Sequence, residues 1–275
     1  MTEPTKAFSK VPQVTLAFWV VKILATTLGE TGGDALSMTL NLGYGVSTLI
    51  FLGFFISTLA PQVASSRYHP FLYWAVVVAT TTVGTTMSDY LDRTLKLGYV
   101  KSSIILFCGV LAVLFIWQRT TGRVEFEHIT TRPNEVFYWL TILVSNTLGT
   151  ALGDFTATTT GLGFKRGSLE FAGLLALVAA AHFFTKIPKS MIFWSAYVLT
   201  RPLGATLGHT LTKSHAEGGF AMGRITSSLL IAAFIVVGIV VTSRWGGVTT
   251  TEDARSMTTT NVTSGSTDKR LRPRA

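Results

Sequence analysis

The chain has 275 residues, of which 48% are hydrophobic and 13% are charged, and its formal net charge is +9. A soluble domain of average composition has about twice this share of charged residues, so the composition excludes a disordered chain and indicates a membrane protein. The surplus of Lys and Arg is weak evidence for a nucleic-acid partner, because cytoplasmic loops of membrane proteins are also enriched in these residues.

Apolar runs long enough to cross a bilayer as helices, about 20 residues each, recur along most of the chain. We predict eight transmembrane helices at about 14–37, 46–64, 70–94, 101–118, 135–158, 168–186, 190–213 and 225–243. Outer-membrane barrels show shorter strands of alternating polarity instead. The predicted fold class is therefore all-α, a polytopic membrane protein.

Orientation is predicted from the Lys and Arg residues on each side of the membrane, because positively charged loops stay in the cytoplasm. Before the C-terminal tail is counted, nine of these residues lie on the side of the termini and seven lie on the opposite side. The tail adds five more to the side of the termini. We expect a multi-pass membrane protein with both termini in the cytoplasm.

One sequence motif occurs four times, as "FWVVKILATTLGETGGD", "YWAVVVATTTVGTTMSD", "YWLTILVSNTLGTALGD" and "FWSAYVLTRPLGATLGH". In each copy an aromatic residue precedes a tryptophan, a glycine follows ten residues later, and an acidic residue or a histidine follows after fifteen. The tryptophans are Trp19, Trp74, Trp139 and Trp194, and the last positions are Asp34, Asp89, Asp154 and His209. Chance does not give four such matches at fixed spacing, so the chain contains internal repeats.

The copies begin 55, 65 and 55 residues apart, and each contains two predicted helices. Two crossings per copy give all copies the same orientation, so we predict four tandem parallel helical hairpins around a pseudo-symmetric centre. The repeats cover about 12–66, 67–129, 130–187 and 188–245 of one membrane domain, 12–245. A cytoplasmic segment, 1–11, precedes this domain, and a polar tail, 246–275, is expected to be disordered.

The repeated pattern resembles a family of bacterial integral membrane proteins built from four tandem repeats, each with two transmembrane segments and a characteristic tryptophan. The resemblance extends from residue 12 to about residue 243. It implies the fold but no activity. The fourth copy carries His209 where the others carry aspartate, so this chain lacks four equivalent carboxylates.

Tryptophan at the start of a span is typical of the membrane interface, where the ring is half apolar and its N–H reaches water. We expect this interfacial role for all four tryptophans. Small residues ten and fourteen positions after each tryptophan form pairs that let two helices approach closely. These predicted packing residues are Gly29 and Gly33, Gly84 and Ser88, Gly149 and Gly153, and Gly204 and Gly208.

Carboxylates within the predicted spans are the strongest functional signal, because a charge at the bilayer centre costs at least about 2.5 kcal/mol. Neighbouring acids three or four residues apart share a helix face, and like charges so close favour a bound cation or a shared proton. We therefore predict cation or proton binding at six residues: Glu30, Asp34, Asp89, Asp92, Asp154 and His209.

Basic residues in the same spans offer a competing interpretation. Asp89 and Arg93 are four residues apart, and Lys22 and Arg201 also lie within the predicted helices. Five acids against these three cations leave a formal excess of two negative charges. We predict that Arg93, Arg201 and Lys22 pair with the carboxylates or gate access to them.

No nucleotide-binding loop, dinucleotide fingerprint, zinc-peptidase motif or nucleophile elbow occurs in the chain. We therefore expect no cofactor and no enzymatic activity. The expected partners are the lipid bilayer, a small cation and, in a homo-oligomer, further copies of the chain. Nucleic acid is not expected.

The leading hypothesis is a transporter, or a channel-like exporter, of a small cation such as a divalent metal ion or a proton. Oxygen-rich ligands favour hard cations such as Mg²⁺, Mn²⁺ or Ca²⁺. The first alternative is a non-transporting membrane scaffold or partner subunit in which the charges only specify helix packing. A second is an intramembrane enzyme or small-molecule binder that uses the acids as bases.

Overall fold

The computed structural model describes residues 11–65, 67–124, 129, 131–159 and 161–243. The polar tail predicted from residue 246, and all but one residue of the predicted segment 1–11, lie outside these residues. Within the described part every regular element is helical, which confirms the all-α fold class. The long helices are α1 (Leu16–Asp34), α2 (Gly43–Ala64), α3 (Pro70–Asp89), α4 (Tyr99–Thr121), α5 (Arg132–Asp154), α6 (Gly163–Phe184), α7 (Lys189–Thr212) and α8 (Arg224–Ser243).

The helix boundaries follow from local chemistry. The hydroxyl of Thr15 accepts a hydrogen bond from the backbone N–H of Phe18 at 3.2 Å and caps α1. Pro70 occupies the first turn of α3, where its missing N–H has no cost. Gly43 and Gly98 stand at the start of the second helix of their copies with φ of +73° and +75°. Only glycine adopts this left-handed conformation without strain. This explains the Gly-aromatic pair that recurs at this point in the first three copies, Gly43-Tyr44, Gly98-Tyr99 and Gly163-Phe164; the pair of the fourth copy is Gly219-Phe220.

A short π-helix extends the first helix in three of the four copies, over Ala35–Thr39, Tyr90–Thr94 and Phe155–Thr159. Each π segment begins directly after the aspartate that lies fifteen residues after the tryptophan of its copy, namely Asp34, Asp89 or Asp154. The fourth copy has instead a regular helix to Thr212 and a 3₁₀ turn, His215–Glu217. This copy is also one residue longer before its Gly-aromatic pair, so the change in helix type and the extra residue occur together.

The first helices of the four copies, α1, α3, α5 and α7, pack in a closed ring in which each contacts two neighbours. The second helices form an outer layer: α2 packs on α3, α4 on α5, and α6 on α7. Helix α8 completes this layer on α1, where Ser228 donates a hydrogen bond to Thr31 at 2.8 Å. Each second helix therefore packs mainly on the first helix of the following copy, and contacts between the two helices of one copy are few.

Burial separates the two layers. In α3 and α5, 72% and 67% of the most apolar stretch is buried, compared with 17% in α2, α4 and α6 and 22% in α8. This difference shows that the first helices of the copies form the interior and the second helices the outside. Among the described residues, six helices are long and apolar enough to cross a membrane: α2, α3, α4, α5, α6 and α8. The other two long helices, α1 and α7, are less apolar and belong to the inner ring.

Aromatic rings close one end of the inner ring of helices. The residue before each tryptophan contacts the tryptophan of the next copy, at centroid distances of 5.4–5.9 Å for Phe18–Trp74, Tyr73–Trp139, Tyr138–Trp194 and Phe193–Trp19. Trp74, Trp139 and Trp194 are 4%, 1% and 9% exposed. Their rings pack against protein, whereas Trp19 is partly exposed. The interfacial role of the four tryptophans stays a prediction.

Candidate functional site

Each inner helix carries a buried stripe of residues spaced by four, which places the side chains on one helix face. The stripes are Phe18, Lys22, Thr26, Glu30 and Asp34 in α1; Tyr73, Val77, Thr81, Thr85 and Asp89 in α3; Tyr138, Ile142, Asn146, Thr150 and Asp154 in α5; and Phe193, Tyr197, Arg201, Ala205 and His209 in α7. All twenty are buried. Equivalent positions form layers, from aromatic residues at one end to charged residues at the other.

Glycines bring these helices into close contact at every crossing. A Cβ atom added to Gly29, Gly84, Gly149 or Gly204 would lie 3.0 Å or less from the neighbouring helix, at Thr81, Asn146, Arg201 and Thr26 respectively. The four contacted residues occupy the same layer, seven positions after each tryptophan. Gly33, Gly153 and Gly208 make a second set of contacts with Thr85, Ala205 and Glu30, while the equivalent Ser88 is buried. Because the inner helices approach one another closely at these glycines, the polar side chains at the crossings lie in the interior of the ring.

Arg201 lies in the centre of this ring. Its Nη2, which carries two hydrogens, lies within hydrogen-bond distance of three acceptors: Glu30 Oε2 at 3.1 Å, Thr150 Oγ1 at 2.6 Å and Thr85 Oγ1. These three acceptors belong to three different helices and to one layer, eleven positions after their tryptophans. The fourth position of that layer is Ala205, on the arginine's own helix. The guanidinium, which is fully buried, therefore joins all four inner helices.

His209 connects the carboxylates of two helices at the far end of the stripe. Its Nε2 lies 3.1 Å from Glu30 Oε1 and 3.1 Å from Asp154 Oδ1, and its Nδ1 lies 3.9 Å from Asp34 Oδ2. The four side chains are at most 3% exposed. The structure thus brings four of the six predicted binding residues together around one imidazole.

Arg93 links Asp89 to the group formed by Glu30, Asp34, Asp154 and His209. Its Nε lies 2.9 Å from Asp89 Oδ1, and its Nη2 lies 3.2 Å from Asp154 Oδ2 on the next helix. Its Nη1 donates a hydrogen bond to Tyr44 Oη at 3.0 Å. The side chain is 32% exposed, so Arg93 lies between the buried carboxylates and the surface.

Arg224 is a functional candidate that the sequence reasoning missed. Its Nε lies 3.5 Å from Asp34 Oδ2, and the side chain is 30% exposed. Arg224 begins α8, and only the closure of the outer layer on α1 places it beside Asp34. The sequence alone gives no sign of this contact, because the two residues are 190 positions apart.

Asp92 and Lys22 lie apart from the connected group. Asp92 follows in the π segment and accepts a hydrogen bond from Ser88 at 3.3 Å. Lys22 Nζ lies 4.1 Å from the centroid of the Tyr197 ring. Within the described ranges Lys22 Nζ has no hydrogen-bond partner and forms no ion pair, so of the two roles predicted for Lys22 only gating stays a prediction.

The charges of the predicted binding residues nearly cancel against their basic neighbours. The five predicted carboxylates are accompanied by Lys22, Arg93, Arg201 and Arg224, which leaves one formal negative charge while His209 is neutral. The excess of two negative charges predicted from the sequence is thus reduced by the arginine of α8. Each acid except Asp92 lies within 4.0 Å of a nitrogen of Arg or His.

Three of these residues could hold a metal ion. One nitrogen of His209 and one oxygen each of Glu30 and Asp34 lie within 4.8 Å of one another, and all three residues are buried. Glu30 and Asp34 are adjacent on one face of α1, and α7 supplies the imidazole. Both carboxylate and imidazole donors suit divalent first-row metals.

Comparison with known families agrees with the internal repeats. A family described as Repeat of Unknown Function (DUF347) matches residues 17–68, 72–123, 137–187 and 192–245. Each matched segment begins two residues before one of the four tryptophans. No curated protein and no solved structure matches the chain. Since the four matches together cover most of its length, the chain belongs to the family built from this repeat.

Proposed function

We propose that the chain crosses the bacterial inner membrane eight times, as four parallel helical hairpins with both termini in the cytoplasm. Six helices have the required length and apolarity. The aromatic ends of the inner helices contact one another, and so do their charged ends, as helices running in the same direction require. Helices α1 and α7 are shielded by their neighbours and need no apolar outer surface.

Within this arrangement we propose that the protein transports a small cation, either a divalent metal ion or a proton. The observation that carries the proposal is the buried group of Glu30, Asp34, Asp89 and Asp154, which come from three helices and meet at one end of the ring. Arg93 and Arg224, each about one third exposed, connect this group to the surface. Intramembrane ionisable groups on such a path usually serve ion movement.

The position of Arg201 favours a transporter over an open channel. Its guanidinium contacts residues of α1, α3 and α5 at the centre of the ring. The aromatic layers then fill the remaining length of the helix bundle. A cation can therefore pass only if the inner helices move relative to one another, as in alternating access.

The test is cation flux in vesicles that contain the purified full chain. We expect Asp154→Asn and Asp89→Asn to reduce flux strongly, because each loses a charge of the connected group. Glu170→Gln is the matched control, since Glu170 is an exposed carboxylate on α6 and its loss should leave flux unchanged. Equal flux in the parent and in both folded aspartate variants, for every cation tried, would reject the proposal.

One observation favours a second candidate, a non-transporting scaffold or partner subunit. Glu30, Asp34, Asp89 and Asp154 already have cationic partners at 3.5 Å or less, so the charges could serve only to specify helix packing. This candidate predicts that Asp154→Asn lowers the amount of folded protein. A variant that folds normally but has lost flux excludes it.

A further inference from the structure

We propose that Glu30, Asp34 and His209 form a binding site for a divalent first-row transition metal ion such as Mn²⁺, Co²⁺ or Zn²⁺. The inference rests on the proposed function, because it names the cation that the transporter holds. It assigns the metal to one side of the ring, between α1 and α7, and not to the ring of carboxylates as a whole.

The donor atoms are close enough for one ion. They lie within 4.8 Å of one another, whereas an ion about 2.1 Å from each ligand needs donors roughly 3–4 Å apart. Small rotations of the side chains close this difference. The spacing of four residues between Glu30 and Asp34 keeps both carboxylates on the face of α1 that contacts α7.

Three buried atoms of this group, one from each residue, lack the hydrogen-bond partners that buried polar atoms normally have. Glu30 Oε1, Asp34 Oδ1 and His209 Nδ1 have no hydrogen-bond partner among the residues that the structure describes, and all three residues are at most 2% exposed. A buried polar atom without a partner costs free energy. A bound metal ion removes this cost, because it accepts electron pairs from oxygen and nitrogen together.

Arginines position the two carboxylates for this role. Arg201 Nη2 lies 3.1 Å from Glu30 Oε2 and leaves Oε1 directed to His209. Arg224 Nε lies 3.5 Å from Asp34 Oδ2 and leaves Oδ1 without a hydrogen bond in the described part of the chain. In metal sites, outer groups that hold one side of a ligand in this way orient it toward the ion.

The imidazole determines the class of metal. Carboxylates and water alone suit Mg²⁺ and Ca²⁺, whereas a histidine ligand suits first-row transition metals. The sequence had favoured hard cations because five of the six predicted residues are acids. In the structure the carboxylates of the other copies do not form an equivalent site, since Asp89 and Asp154 share Arg93.

The test is metal binding by the purified full chain in detergent after treatment with a chelator. We expect Mn²⁺, Co²⁺ and Zn²⁺ to raise the unfolding temperature saturably, and Mg²⁺ and Ca²⁺ at equal concentration to have little effect. Bound Co²⁺ should also give visible absorption bands. His209→Asn should weaken binding of these metals by at least about tenfold, a loss at the low end of that seen when metal-site groups are replaced.

His215→Asn is the control, because His215 lies near the same end of α7 but its Nδ1 bonds to the Gly219 carbonyl; it should bind metal like the parent. If His209→Asn does not fold, Asp34→Asn gives the same comparison. Absence of stabilisation in the parent, or equal binding in His209→Asn, rejects the metal site. Proton flux that depends on Asp154 without metal binding rejects this inference alone, whereas metal binding without flux of any cation rejects the proposed transport.

Discussion

At the scale of single residues, the repeat is broken at two positions, one in the first copy and one in the fourth, and the two departures compensate for each other. Arg201 stands where the other copies have Thr26, Thr81 and Asn146, and its guanidinium reaches Glu30, which itself stands where two other copies have threonine. A buried arginine without a carboxylate would be an unpaired charge. The two departures therefore depend on each other energetically, although they lie 171 residues apart.

This dependence predicts a non-additive pair of substitutions. Arg201→Asn should destabilise the protein by about 3–5 kcal/mol, because it removes one partner of a buried ion pair. Glu30→Thr in the same chain restores the residue types of the other copies and should recover a large part of the loss. The measurement is unfolding of the parent, both single variants and the double variant in detergent, analysed as a double-mutant cycle. Simple addition of the two single effects would show that the pair is not coupled.

Part of this layer could be predicted from the sequence. The fixed spacing from each tryptophan already aligns Arg201 with two threonines and an asparagine, and Thr85 and Thr150 with Glu30. What the alignment does not contain is the direction of the arginine side chain, which depends on close packing against Gly149. Arg224 could not be predicted at all, because its contact with Asp34 depends on which helices are neighbours in space.

At the scale of helices, the two helices of one sequence repeat are not the two helices that pack on each other. The copies predict two helices each, and the structure has them, but each second helix packs mainly on the first helix of the following copy. Short connections normally favour packing between consecutive helices. Here the π segments and the glycines with positive φ redirect the chain between the two helices, and nothing in the periodicity of the sequence reports that direction.

The close contacts between the inner helices predict that alanine substitutions at inner and outer glycines differ in their effect on stability. Gly29→Ala should destabilise the protein by about 1–3 kcal/mol, because the new Cβ would overlap Thr81 on α3. Gly53→Ala, on the outer helix α2, should be neutral or stabilising, since no atom lies within 4 Å of its added Cβ and alanine favours helix. Unfolding temperatures of both variants in one detergent give the comparison. Equal temperatures would contradict the close packing of α1 on α3.

At the scale of the whole molecule, the order of layers reverses that of a protein in water. Polar and charged residues lie inside the ring of α1, α3, α5 and α7, and apolar side chains cover the outer helices, where many of them are exposed. This arrangement suits a bilayer, in which exposed apolar surface has no cost. It also explains why hydropathy identifies the outer helices well and α1 and α7 poorly, since α1 carries the buried Lys22, Glu30 and Asp34 and α7 the buried Arg201 and His209.

The proposed topology makes a prediction for accessibility from the two sides of the membrane. In a Cys108→Ser chain, a cysteine at Leu95 lies in a loop at the charged end of the ring, and a cysteine at Thr185 lies in a loop at the aromatic end; both positions are exposed. With both termini in the cytoplasm, a membrane-impermeant maleimide added to intact cells should label Leu95→Cys only. Both should react after permeabilisation. Labelling of Thr185→Cys alone in intact cells would show that the orientation is opposite to the proposed one. Labelling of both cysteines in intact cells would contradict a membrane crossing between the two loops.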